Sequence, residues 1–98
     1  MAYDNLSGTV FLTADSNVTA GQPCRVFCVH EIYGAGAVGS VLRNGTSAAG
    51  DAYVQLRSVD SGGVTTDFGS DGFLFPAGLF YDEGTSVTSI LIEFRTEI

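Results

Sequence analysis

The residues in this chain with the greatest capacity for chemistry are two cysteines and its single histidine. Cys24, Cys28 and His30 fall at even spacings, so a regular strand would place all three on one face. Zinc prefers thiolate and imidazole ligands, and a histidine can also activate a neighbouring thiol. However, the two cysteines would lie roughly 13 Å apart along a straight strand, too far for a disulfide, and no second ligand cluster completes a metal site. We therefore interpret these residues as core, and we predict no metal, no cofactor and no catalytic residue.

Two other patterns could carry chemistry, and both have a simpler explanation in turns. Acidic residues in the glycine-rich stretches 67–72 and 82–84 could bind calcium, but the fixed spacing of an EF-hand loop is missing. Asn17 and Asn44 each begin a glycosylation acceptor triplet, yet the first residues, MAYDNLSG, carry no secretory signal. Asp, Asn and Ser beside Gly are ordinary β-turn residues. Turn formation is the favoured interpretation, and a loop calcium site is the alternative.

The charge balance argues against two classes of partner. Four arginines and no lysine face eleven acidic residues, which gives a formal net charge of −7. Nucleic acid and anionic membranes attract clustered cations, and these arginines are scattered along the chain. No apolar run approaches the ~20 residues of a membrane span. We therefore expect neither nucleic acid nor a membrane as partner, and we expect synthesis in the cytoplasm with both cysteines reduced.

The composition also points to a surface used in assembly. Charged residues make up 15% of the chain, against roughly 25% in an average soluble domain, while 45% are hydrophobic. Lysine is the residue that often guards exposed strand edges, and it is absent here. Edges that are short, covered or paired with another subunit would not need that protection. We therefore expect a homo-oligomer or a subunit of a larger assembly.

The elements that must position these residues are short strands. Alternating apolar residues and turn signals every 8–12 residues predict an antiparallel β-sandwich, jelly-roll or Ig-like, with seven to eight strands and no helix. We expect residues 1–98 to form one such domain with a short N-terminal arm, residues 2–6. The longest apolar run, 24–33, predicts a central strand, and the glycines and alanines at 34–37 predict a loop after it.

A second signal is the aromatic-rich stretch GFLFPAGLFY at 72–81. Its proline and glycines prevent a helix, so it predicts a tight corner between strands that is filled by large side chains. Other bulky residues have no evident place in the core, and we expect them at an interface. These are Tyr3, Leu6, Tyr33, Tyr53 and Tyr81.

Four segments carry a resemblance to a known group of proteins. They are QPCRVF at 22–27, VLRNG at 41–45, DGFLFPAGLFYD at 71–82 and SVTSILI at 86–92. Over residues 21–94 the chain resembles small all-β virion structural proteins of tailed phages, particularly marine and cyanobacterial ones. The resemblance implies a β-sandwich with a non-enzymatic structural role, and it transfers no functional residues.

Together these observations lead to a functional expectation. We expect a capsid decoration or cement protein that stabilises a phage head by contacts with the major capsid protein or other virion proteins. The chain would then be located in the virion after synthesis in the host cytoplasm. The alternative is a host-recognition or carbohydrate-binding module of a tail fibre or knob. A small hydrolase is disfavoured, because no nucleophile lies within reach of a base.

Overall fold

The computed structural model describes residues 8–97, and in this range the chain is built from strands without a helix. The strands are Gly8–Leu12 (β1), Ser16–Asn17 (β2), Cys24–Val38 (β3), Val41–Asn44 (β4), Asp51–Gln55 (β5), Gly62–Asp67 (β6), Phe73–Phe75 (β7), Leu79–Asp82 (β8) and Thr85–Thr96 (β9). The all-β sandwich prediction is confirmed. The structure has nine strands where seven to eight were expected, because β2 and β7 are too short to show an alternating pattern in the sequence.

The strands form two antiparallel sheets whose pairing is nested. The larger sheet has the order β1-β9-β3-β6, with β7 also paired to β3, and the smaller sheet has the order β2-β8-β4-β5. Thus β1 pairs with β9, β2 with β8, β3 with β6, and β4 with β5. A long antiparallel hairpin folded across two sheets produces this order, which is that of a jelly roll rather than an Ig-like sandwich.

The central strand β3 changes face partway along its length. Val26 pairs with Phe94 of β9, whereas Cys28 pairs with Glu93, the next residue back along β9. Phe27 is therefore an extra residue in β3, which makes it a β-bulge. Because side chains alternate between faces with a period of two, one inserted residue exchanges the inward and outward positions that follow it.

The bulge overturns the prediction that Cys24, Cys28 and His30 share a face. Cys24 and Val26 are fully buried before the bulge, while Val29, Glu31 and Tyr33 are buried after it. Cys28 and His30 are placed on the outer face of the sheet, with Cys24 on the inner face. A regular period of two was the wrong interpretation for this strand.

The predicted loop at 34–37 is also wrong, because β3 continues through it to Val38. Val38 pairs with Thr85 of β9, and the register shifts between Tyr33 and Val38. Gly36 has a φ of 69°, which glycine adopts without strain. Residues 34–37 of β3 thus stand against the single residue 86 of β9, so this end of the strand is an irregular bulge.

The aromatic corner predicted at 72–81 connects the two sheets. Its first part is β7 in the larger sheet, its last part is β8 in the smaller sheet, and Phe75 and Leu79 on either side of the turn are fully buried. Gly78 has a φ of 104°, and a Cβ there would lie 2.7 Å from the Cα of Gly21. Glycine is required at residue 78 for both reasons.

Candidate functional site

The residues expected at an interface fall into three groups. Tyr3 and Leu6 lie outside the described residues. Tyr53 is 39% exposed on β5, at the edge of the smaller sheet, so its interface role stays a prediction. Tyr33 and Tyr81 are buried, at 3% and 0% exposure, and the expectation that they lie at the surface is wrong. The physical reason is that both phenol groups bond to a buried carboxylate.

That carboxylate belongs to Glu31 on β3, which is only 1% exposed. Its Oε1 accepts hydrogen bonds from the Tyr33 hydroxyl and, at 3.4 Å, from the Ser40 backbone N–H. Its Oε2 accepts from Ser40 Oγ at 2.5 Å and from the Tyr81 hydroxyl at 2.6 Å. We call Glu31, Tyr33, Ser40 and Tyr81 the polar network. All its side chains are bonded, which is the condition under which a buried charged residue is tolerated.

The polar network connects the two sheets. Glu31 and Tyr33 lie on β3 of the larger sheet, Tyr81 on β8 of the smaller sheet, and Ser40 in the connection between β3 and β4. Burial is the main cause that raises the pKa of both tyrosines, and the hydrogen bond to Glu31 raises it further. Both hydroxyls therefore stay protonated at neutral pH and can donate. No cavity opens onto the network within residues 8–97. Its geometry fixes one sheet against the other.

Sequence reasoning missed the polar network, although one signal was present. Glu31 sits in the longest apolar run with Tyr33 two residues later, and one face of a strand brings i and i+2 together. A carboxylate in such a run must be either exposed or supplied with donors. The remaining donors, Ser40 and Tyr81, come from distant positions and cannot be found by spacing.

One acid beside the network has an unfavourable environment. Glu83, just after β8, has a buried Oε2 with no hydrogen-bond partner among the described residues. Its backbone N–H donates to Asp15 at 2.8 Å. Burial raises the pKa of Glu83, and the negative charges of Asp15 and Glu31 raise it further. The carboxyl is therefore destabilised when it is ionised.

The outer face of the larger sheet carries the most apolar exposed row. Phe11 of β1 lies opposite Leu91 of β9, Leu91 opposite His30 of β3, and His30 opposite Thr65 of β6. Phe11 is 60% exposed and Leu91 is 40% exposed, and His30 Nδ1 lies 2.6 Å from Thr65 Oγ1. We call these four residues the outer stripe. No formal charge at pH 7 lies along it when the histidine is neutral.

The next row on the same face is acidic and contains the more accessible thiol. Glu93 and Asp67 lie on either side of Cys28. Partial burial, then these two charges, raises the pKa of Cys28, while deeper burial raises the pKa of Cys24 to about 11. A thiol with a raised pKa is a poor nucleophile and a poor metal ligand. Within the described part of the chain, no group of three metal-binding side chains comes together.

Comparisons with protein-family models, with curated proteins and with solved structures found no match to this chain. The described residues include no helix long and apolar enough to cross a membrane.

Proposed function

We propose that this chain is a structural protein of a tailed-phage virion, and specifically a decoration or cement protein that stabilises the head by contacts with the major capsid protein. The observation that carries the proposal is the outer stripe, an uncharged and partly apolar row on the outer face of the larger sheet. Phe11 and Leu91 lie opposite each other and form contiguous exposed apolar surface, the kind of surface at which proteins contact partners. The choice of a virion rests on the resemblance of segments 22–27, 41–45, 71–82 and 86–92.

The size of the outer stripe suits a subunit present in many copies. Fully burying a Phe or Leu side chain stabilises a complex by about 1.5–3 kcal/mol before the costs of association are subtracted. Phe11 and Leu91 are already partly covered, so their contribution is smaller. One such contact is weak. Several linked contacts on a symmetric particle would hold the subunit in place through avidity.

The jelly roll supports such a role by holding the stripe rigid. The stripe crosses four hydrogen-bonded strands, and the inward neighbours of its exposed residues, such as Val29, Ile90 and Ile92, are buried. A rigid surface loses little entropy on binding. The polar network adds a second constraint, because it fixes the larger sheet against the smaller one.

The test is the protein content and stability of purified heads. We expect mass spectrometry to find the chain in gradient-purified particles at many copies per head. We also expect heads that lack it to lose their DNA at a lower temperature, and the purified chain to restore stability when it is added back. Particles without the chain would contradict the proposal.

A pair of variants tests the surface itself. Leu91→Asp places a charge in the outer stripe and should abolish rebinding to depleted heads. Val59→Asp changes an apolar residue of nearly equal exposure, 38% against 40%, in the connection between β5 and β6, and should rebind normally. Both variants must show the wild-type circular dichroism spectrum. Equal binding of the two variants would show that the stripe is not the docking surface.

One observation favours the second candidate function, a carbohydrate-binding or host-recognition module. The exposed ring of Tyr53 lies with its centroid 6.1 Å from that of Phe73 and 5.6 Å from that of Phe75. Sugars stack on supported aromatic rings of this kind. A glycan array separates the two candidate functions. A carbohydrate-binding module would bind a defined glycan, and its Tyr53→Ala variant would no longer bind that glycan. A cement protein would bind none.

A further inference from the structure

We propose that β1 is a self-association edge, at which two copies of this chain pair their β1 strands antiparallel and join their larger sheets into one. The open edge of β1 is distinct from the outer stripe except that Phe11 belongs to both, and pairing at this edge does not depend on a virion location. The strand β1 pairs with β9 on one side and is the end strand of its sheet. Along its other side, the described residues provide no strand.

The other three sheet edges are protected and β1 is not. Edge strands avoid pairing with other chains when they are short, bulged or charged. The strand β2 has two residues, β5 contains a register shift against β4 and begins with Asp51, and β6 begins with two glycines and ends with Asp67. By contrast, β1 keeps five consecutive pairs with β9 and contains no proline and no charge. The strand β7 is also an uncharged edge but has only three residues, so β1 is the longest regular, uncharged edge among the described strands.

The sequence of β1 is compatible with its own antiparallel copy. A two-fold axis at Val10 places the two Val10 residues opposite each other, Thr9 opposite Phe11, and Gly8 opposite Leu12. None of these pairs brings like charges together. A β-branched residue opposite itself, and an aromatic ring opposite threonine, are favourable cross-strand neighbours. The occupant that fits the edge is therefore a second copy of this chain.

Burial of side chains agrees with this register. Thr9 and Phe11 point to the outer face, where Phe11 is 60% exposed, while Val10 and Leu12 are half-buried beside the core. In the pair, Phe11 of each copy would cover Thr9 of the other. The four half-buried residues, Val10 and Leu12 from both copies, would extend the two cores toward each other. Side chains on both faces of the joined sheet would therefore gain contacts.

The buried interface area and the net charge of each copy determine how tightly the dimer is expected to form. Two five-residue strands bury well under the roughly 1,200 Å² at the lower end of stable interfaces, so the dimer should be weak and reversible. Each copy has a net charge of −7, so the two copies repel each other over about 10 Å at 0.1 M salt. Because β1 itself is uncharged, added salt should strengthen the dimer by screening this repulsion.

The first measurement is cross-linking of the full-length chain under mild oxidation, in a Cys28→Ser background. In the proposed register, the Cα atoms of opposed residues lie about 4.5–5.5 Å apart, within disulfide range. We therefore expect Val10→Cys to form a covalent dimer. Thr13→Cys is the matched control, because its two copies would be six residues apart, roughly 20 Å, and should stay monomeric. Equal cross-linking of both variants, or none in Val10→Cys, overturns the proposal.

The second measurement is the mass in solution by sedimentation over a range of concentration and salt, with no cysteine introduced. We expect Phe11→Lys to weaken dimerisation at least tenfold, and Leu91→Lys, on the same face but one strand further from the edge, to change it less than threefold. A larger effect of Leu91→Lys would mean that the sheet faces, not the β1 edges, associate. A chain that remains monomeric at every concentration would leave the edge to a foreign partner and overturn the proposal. Failure here is distinct from absence in purified heads, which tests the proposed function.

Discussion

The strand β3 crosses two ends of one core that are stabilised by different forces. Before the bulge at Phe27, its inward residues Cys24 and Val26 lie in the aromatic end, where the Phe73 and Phe75 ring centroids are 5.4 Å apart. After the bulge, its inward residue Glu31 belongs to the polar network. The aromatic end depends on contact area, which has no preferred direction. The polar end depends on several hydrogen bonds with fixed geometry.

This difference predicts unequal tolerance to change. An apolar pocket loses stability in proportion to the volume removed, so a slightly smaller side chain has a small cost. A buried polar network leaves groups unsatisfied when any one member is removed, so a single deletion costs more than its volume suggests. Deleting a member of the polar network should therefore cost more stability than a small reduction of a buried apolar side chain.

The largest effect is expected from Glu31→Ala, which leaves the hydroxyls of Tyr33, Ser40 and Tyr81 without their shared acceptor. We expect the free energy of unfolding to fall by about 3–5 kcal/mol, measured by urea denaturation. Ile90→Val is the control, since Ile90 is fully buried opposite Glu31 and should cost about 0.5–1.5 kcal/mol. A loss of the same size in both variants would mean that the network has no special role.

A smaller effect is expected at the aromatic end from Phe75→Leu. The side chain is fully buried and contacts the rings of Tyr53 and Phe73. Leucine keeps most of the contact, so we expect the free energy of unfolding to fall by about 1–2 kcal/mol with the fold unchanged. The same denaturation experiment measures it. A loss as large as that of Glu31→Ala would contradict the difference between the two ends.

Removing one hydroxyl from the network should cost less again. Tyr33→Phe deletes one donor to Glu31 and leaves the bonds from Ser40 and Tyr81, so we expect the free energy of unfolding to fall by about 0.5–1.5 kcal/mol in urea denaturation.

The same tyrosine predicts a dependence of stability on alkaline pH. Because the folded state raises the pKa of Tyr33 above its ordinary value of 10.0, wild-type stability should fall as the pH rises above about 10. Tyr33→Phe should show a shallower fall. An identical alkaline slope in both proteins would show that Tyr33 is not held protonated by the fold.

The sequence was sufficient for the architecture but not for the face assignment along β3. Turn signals and alternation predict an antiparallel sandwich because they depend on neighbours along the chain. The bulge at Phe27 depends on how β3 pairs with β9, which no local pattern contains. The same holds for 34–37, where β3 continues through residues that favour a loop until it pairs with β9 again at Val38.

The candidate site could also be predicted from the sequence only where it depends on neighbours along one strand. Glu31 and Tyr33 could be recognised as neighbours on one face, but Ser40 and Tyr81 reach them through the folding of two sheets. For the outer stripe, the alternation in β9 predicts that Leu91 faces away from Ile90 and Ile92. Its alignment with Phe11 and His30 requires the register of three strands. Tyr33 and Tyr81 were expected at the surface but are buried, because their hydroxyls donate the hydrogen bonds that a buried carboxylate requires.

The smallest expected effect is at Glu83, beside the polar end, and it is a gain in stability rather than a loss. The folded state raises the pKa of Glu83 above 4.5, so the folded chain holds this proton more tightly than the unfolded chain does. Stability should therefore fall as the pH rises from about 4.5 through the folded-state pKa, and remain lower above it. Glu83→Gln removes the charge beside Asp15 and Glu31, so we expect a higher melting temperature at pH 7.5 and little change at pH 4. Glu93→Gln, at an exposed position on the outer face, is the control and should not reproduce this pH-dependent gain. A lower melting temperature for Glu83→Gln at pH 7.5 would show that the Glu83 carboxylate stabilises the polar end, contrary to its unpaired, buried oxygen.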